Sequence, residues 1–305
     1  MTALALASTI LTFVAIVGVG RLLRATGILR REDARPINRV IIYVGLPAYI
    51  FKAVHGQALR FDLLGVVAVA WIVFAAMLAL GWLTARLLKL PHEIAGGFVI
   101  AVALGNTGYI GYPITAALLG ASQLPEAIFY DVFGTVCALA LVGLLVAQHF
   151  GNNDEARVNP VRELFTFPAV IALIAALALR TVAIPDAVMG GIGLLANMVA
   201  PLIMISVGLS LRASTLGSQA GRLAVLGGLR LLVAPLIGLG LAWALLGSGP
   251  ALRVTVLEAG MPAMMLTIVV GERFGLDTDF IASAIFVTTA ASAISLPLLQ
   301  LVAIR

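Results

Sequence analysis

Gly105-Asn-Thr-Gly-Tyr-Ile-Gly-Tyr-Pro113 interrupts an apolar run that extends from about residue 93 to 120. Proline removes a backbone donor and clashes with the preceding turn, and glycine brings backbone freedom without a side chain. A second apolar run, 251–272, is interrupted in the same way by Glu258-Ala-Gly-Met-Pro262. In hydrocarbon each peptide group that loses its helical partner costs several kcal/mol. Such breaks persist at mid-membrane only where they face protein, water or a ligand. Two broken helices crossing there create a polar spot in an apolar slab. Their half-helix N-termini present free amides and partial positive charge, which suit an anion.

The rest of the chain is consistent with a membrane setting. Of 305 residues, 62% are apolar and 11% charged, against roughly 25% charged in soluble domains. Mean hydropathy is +1.12. This excludes a soluble enzyme, a disordered chain and a nucleic-acid binder. The net charge of +5 comes from basic residues in short connectors, not from one packed face. The lone Cys137 has no disulfide partner and reads as a packing residue. No cleavable leader is expected, because the first apolar run is long enough to span.

At about 20 residues per crossing, apolar runs predict ten spans: 3–21, 38–55, 62–86, 93–120, 126–149, 161–181, 187–211, 220–246, 251–272 and 279–303. The long polar connector lies between the fifth and sixth. Thirteen Lys and Arg fall on its side and five on the other, with Arg230 inside a span. That bias places the connector in the cytoplasm and both termini outside.

Five spans on either side of the connector predict two halves of opposite orientation, 1–150 and 161–305, joined by 151–160. The prolines support the split. Pro113 and Pro262 are 149 residues apart, and Pro47 and Pro201 are 154 apart. The fold class expected is an all-α polytopic membrane protein with a 5+5 inverted repeat, in which the fourth and ninth helices are broken and cross.

The Asn106-Thr-Gly-Tyr-Ile-Gly-Tyr-Pro113 stretch in its fourth-span position resembles the auxin efflux carrier family, which includes malate and malonate permease-like bacterial members and the plant PIN-formed carriers. Glu258-Ala-Gly-Met-Pro262, Glu272-Arg-Phe-Gly-Leu-Asp277, Gly45-Leu-Pro47 and Met204-Ile-Ser-Val-Gly-Leu209 add weaker likeness. The resemblance covers essentially the whole chain. It implies a crossed-helix fold similar to sodium/proton antiporters and bile-acid symporters, with a scaffold and a transport domain, in the bacterial inner membrane. It implies carriage of small organic anions such as malonate, malate or auxin-like acids. Asn106, Thr107, Pro113 and Pro262 match the family's crossover pattern. The chain departs from it at Leu266, where many small members carry Asn, and this leaves the substrate and any cation site using both crossovers open. Related folds are often dimers, so a homodimer stays open too.

Several side chains are candidates. Asn106 either caps its half-helix or contacts the ligand. Tyr109 and Tyr112 either line the cavity or pack. Thr267 is the one polar side chain shortly after Pro262, where Met264 and Met265 form either an apolar wall or core. Glu258, one turn before Pro262, either couples protons or filters charge, or else pairs with Arg253 or Arg230. Arg230 either snorkels or balances an anion. Asp131 either caps its helix, as Asp279 would at the aligned position, or couples. Lys52 reads as an outer-end snorkelling residue. Ser283, Thr288, Ser292 and Ser295 form a polar stripe that either faces the crossing or bonds its own helix.

No cofactor or metal is expected, and the coupling ion stays open between proton and sodium. Gly191-Ile-Gly193-Leu-Leu-Ala196 matches the dinucleotide fingerprint only in letters, with no strand before it. His92-Glu93 lacks the second His of a metalloprotease helix. The expected function is a secondary carrier working by alternating access. A channel or lipid pathway would need a continuous polar lining. An intramembrane enzyme would need a nucleophile–base pair or paired aspartates, and neither is evident.

Overall fold

In lipid a backbone must satisfy its own hydrogen bonds, and apolar runs therefore wind into helices. The computed structural model, which describes residues 3–57, 62–153, 159–210 and 216–302, is helical throughout, with a single strand-like pairing among those residues. Six helical stretches are long and apolar enough to cross a membrane: Arg31–Val54, Asp62–Leu87, Ala121–Phe150, Asp186–Leu209, Gln219–Leu246 and Thr278–Leu301. A seventh is formed if Pro160–Thr166 and Pro168–Ala178, bent by 60°, count as one. The predicted spans at these places overlap them, with ends that agree within five residues except at the second, predicted from 38 where the helical stretch begins at Arg31. The central connector lies partly outside the described residues, as do Arg60, Arg157, Arg212 and Arg305.

The helices are α1 (Ala3–Ala25), α2 (Ala34–Val40), α3 (Leu46–Val54), α4 (Asp62–Leu87), α5 (His92–Ala103), α6 (Tyr112–Leu118), α7 (Leu124–Phe129), α8 (Leu144–Phe150) and α9 (Pro160–Thr166). They continue with α10 (Pro168–Ala178), α11 (Asp186–Asn197), α12 (Val199–Ser210), α13 (Leu216–Gly228), α14 (Ala234–Leu246), α15 (Pro250–Ala259), α16 (Thr267–Phe274) and α17 (Thr278–Val302). α4 shows the pattern in its simplest form. Its apolar residues run unbroken, Asp62 stands in the first turn and Arg86 in the last, where each complements the helix dipole. Leu64, Leu194, Trp243 and Ile294 are exposed, as side chains facing lipid would be.

Two groups of helices emerge from the packing. α1 lies along α12, and α3 packs on α10 and α11. α4 packs on α5, α14 and the segment Tyr130–Val136, while α14 packs on α15. The α1–α12 approach is close because Gly20 and Gly208 lack side chains. A Cβ at either would strike the opposite backbone, at Ile205 or Val17.

Five segments are wound more widely, as π-turns: Ile41–Gly45, Thr107–Gly111, Tyr130–Val136, Leu139–Gly143 and Leu229–Val233. Thr107, Asp131 and Arg230 each lie on one of them. Such bulges recur at functional positions because they re-aim a side chain within a continuous helix.

Candidate functional site

The two interrupted stretches meet. α5 ends at Ala103, Leu104 turns extended, and helix resumes at Thr107. α15 ends at Ala259, and helix resumes at Thr267. Between these ends the chains pass antiparallel, with Gly105 paired to Ala263. The Asn106 amide donates to the Pro262 carbonyl at 2.8 Å, and the Met264 amide donates to the Leu104 carbonyl at 3.0 Å. The crossing therefore satisfies peptide groups that neither helix can satisfy alone.

This register corrects the one inferred from the prolines. Pro262 lies in the crossing, but Pro113 does not. It sits further along the helical half that begins at Thr107, where Gly111 and Tyr112 are already helical. Gly105 faces Ala263 across the crossing, 158 residues on.

Arg230 joins the two helix ends. It is 2% exposed. Its Nε donates to Met261 O at 2.8 Å, its Nη2 to Ala259 O at 2.6 Å, and its Nη1 to Val102 O at 3.2 Å. A further contact from Nη1 to Ala103 O is 3.5 Å. Carbonyls at the C-termini of α5 and α15 carry partial negative charge, and one buried cation neutralises both. Arg230 thus does not snorkel, and it forms no pair with Glu258. Gly105 makes room for it, since a Cβ there would lie 2.8 Å from Nη2.

The opposite charge sits on the far side of the first break. Asp131 accepts from Thr107 Oγ1 at 2.5 Å and from Tyr112 Oη at 2.6 Å. It packs against Gly108, where a Cβ would approach Oδ2 to 2.9 Å. The half-helix N-terminus expected to greet an external anion thus already faces the protein's own carboxylate. Asp131 does not cap its own helix, since its two hydroxyl partners, Thr107 and Tyr112, lie outside it. At the second break Thr267 N donates to Met264 O and Ile268 N to Met265 O, each at 3.2 Å. The Thr267 hydroxyl also turns back to Met264 O, at 2.5 Å.

Asn106 is 3% exposed, and its side chain makes no capping bond. Its Nδ2 and the Tyr109 hydroxyl are buried without hydrogen-bond partners. Asn106 precedes the π-turn Thr107–Gly111 and Tyr109 lies on it, so both unmatched groups belong to the break. A cavity of about 10 Å³ in the same region is lined by Gly105, Thr107, Tyr130, Thr135 and Arg230. That volume holds about one water.

Glu258 is fully buried. Thr115 Oγ1 donates to its Oε1 at 2.9 Å, and its Oε2 has no partner. It pairs with neither Arg230 nor Arg253. Lys52 is exposed, with its Nζ close to Gly193. In the polar stripe Ser283, Thr288 and Ser292 all bond their own helix, and Thr288 also reaches the crossing, accepting from Ala263 N at 3.1 Å. Thr115 escaped the sequence reading, since nothing local ties it to a residue 143 positions away.

Interrupted helices that cross inside the apolar core are an arrangement found in membrane transporters. The comparisons agree. Residues 5–300 match the family described as "Membrane transport protein", and the chain belongs to this family, the auxin efflux carrier family. It is 35% identical over 301 residues to an "Uncharacterized transporter" of Methanothermobacter thermautotrophicus, covering 96% of this chain and 97% of the relative. It is 32% identical over 295 residues to another such protein of Methanocaldococcus jannaschii, covering 93% and 94%. It is 25% identical over 269 residues to a "Putative malonate transporter" of Rhizobium meliloti, covering 84% and 82%.

Proposed function

We propose that the protein is a secondary carrier of small carboxylates, working by alternating access around the crossing of α5–α6 with α15–α16. The observation that carries this reading is the pair of buried, unmatched donors at the break, Asn106 Nδ2 and Tyr109 Oη. Buried donors without acceptors are costly, and a carboxylate supplies acceptors. Arg230 contributes positive potential beside them. The name of the Rhizobium meliloti relative directs the first trial to malonate.

The same reading takes the chain as ten spans in two inverted halves, 1–150 and 161–305, with the 151–160 connector cytoplasmic and both termini outside the bacterial inner membrane. In support, the interrupted pairs α5–α6 and α15–α16 and the 23-residue α1 stand beside the six or seven spans given above. The antiparallel meeting of the two breaks is what inverted repeats produce. Alternating access would move the group built on α4 against the group built on α1, α3 and α12.

Reconstituted into liposomes, the protein should take up radiolabelled malonate with saturation and with competition by other small dicarboxylates. Flux that rises linearly with concentration would instead mark a channel.

A further inference from the structure

Glu258 holds a position that the crossing itself does not explain. It is a fully buried carboxyl on α15, with one oxygen bonded to Thr115 on α6 and the other bare against Gly111. Tyr112 follows Gly111 at the start of α6, and Tyr49 of α3 stacks on Tyr112 with ring centroids 5.7 Å apart. Tyr130 and Asp131 face it from the neighbouring π-turn, and the buried Glu126 belongs to α7, which packs on α15. Arg230 is committed to carbonyls, and Arg253, on the same helix, is exposed. Among the described residues no cation therefore touches Glu258.

An ionised carboxylate in that place would be a whole charge held by one hydroxyl, and such charges in an apolar interior are prohibitively expensive. A neutral acid leaves only one weakly matched group. Asp131 differs. Two hydroxyl donors and a helix N-terminus surround it, so it can keep its charge. Two nearby carboxyls in such unlike settings divide the states between them, one charged and one protonated.

Access is built in. A cavity of about 510 Å³ is lined by Leu118 and Gly120 at the end of α6 and by Pro250 and Arg253 on α15. Thr115 lies three residues inward from Leu118, and Glu258 five residues inward from Arg253, which is about 7.5 Å along the helix at 1.5 Å per residue. The acid is thus one to two turns below the mouth of this cavity. Among the described residues no group of three or more His, Cys, Asp or Glu could hold a metal ion, and Gly111 closes the space beside Oε2.

We propose that Glu258 is a proton-binding site, and that the proton it takes from water on one side of the membrane is released to water on the other as the carboxylate is carried. The coupling half of this proposal rests on the carrier reading given above. The binding half does not.

Two measurements separate them. Infrared spectroscopy of the purified protein at neutral pH should show the carbonyl stretch of a protonated carboxyl, lost in E258Q. If no such band exists, or E258Q retains it, the site is not protonated and the proposal falls. In liposomes, malonate uptake by the wild type should be accelerated by acid on the entry side and accompanied by proton influx to a trapped pH dye. E258Q, which keeps the bond to Thr115 and needs no proton, should retain malonate exchange and lose that acceleration. Saturable uptake without proton movement overturns the coupling, and so does uptake driven by a sodium gradient alone. Failure of the wild type to take up or exchange any dicarboxylate overturns the carrier reading and the coupling with it, while the infrared band still decides whether Glu258 binds a proton.

Discussion

Arg230 and Ala259 are joined by the shortest of the guanidinium's bonds at the crossing, 2.6 Å from Nη2 to the carbonyl oxygen. The bond closes the end of α15 with a side chain from a different helix, 29 residues earlier in sequence. Through Nη1 the same side chain closes the end of α5. It is therefore the element that holds two helix ends against one another. Replacing it by Met leaves several buried carbonyls without donors and removes the only charge opposing two aligned dipoles. Removing one partner of a buried charged network costs about 3–5 kcal/mol. Arg230→Met should lower the unfolding temperature in detergent by many degrees. Arg230→Lys should recover only part of the loss, because one ammonium cannot reproduce a planar fork aimed at separate carbonyls. Equal stability of the Met and Lys variants would show that the fork geometry is irrelevant.

Thr288 offers a smaller test of the same principle. Its hydroxyl accepts from the Ala263 amide at 3.1 Å and donates to Ala284 O at 2.7 Å. Thr288→Val keeps the shape and strands one buried amide, at a cost of about 1–3 kcal/mol. Thr288→Ser should restore the bond and most of the stability. Thermal unfolding of the three proteins decides it, and a Val variant as stable as the wild type would mean that the amide finds another acceptor.

Gly20 and Gly208 set the spacing of α1 and α12. Alanine at either position places a methyl group against opposing backbone, which cannot yield as a side chain tip would. Each substitution should cost about 1–3 kcal/mol through overpacking. Both lie in one interface, so the double variant should lose less than the sum of the single losses. Strict additivity in thermal unfolding would indicate two independent sites.

Much of this architecture is written in the chain. The spans are legible because lipid permits only long apolar helices, and the breaks are legible because Gly105, Asn106 and Pro262 cannot sit quietly inside one. The register of the crossing is not. Pro113 suggested it, yet that proline lies within the helical half that follows, and the break itself lies at Leu104–Asn106. The work of Arg230 was hidden as well, since its partners are backbone carbonyls, which have no signature in sequence. Asp131 looked like a helix-start acid because the hydroxyls that hold it belong to Thr107 and Tyr112, 24 and 19 residues earlier. Sequence shows which peptide groups will lose their partners. It does not show what replaces them.

The most direct test of the transport site follows from what Asn106 and Tyr109 lack. Neither Nδ2 nor the phenol hydroxyl has a partner among the described residues, so neither contributes a hydrogen bond to the stability of the empty site. Asn106→Ala and Tyr109→Phe should therefore leave the unfolding temperature nearly unchanged, or raise it slightly by removing unmatched polar groups. If both donors bind a carboxylate, each variant should weaken malonate binding by about tenfold or more, the equivalent of 1.4 kcal/mol per lost charge-assisted bond. Isothermal calorimetry alongside thermal unfolding separates the two effects. Stability lost with affinity retained would assign these groups to the scaffold and remove them from the substrate path.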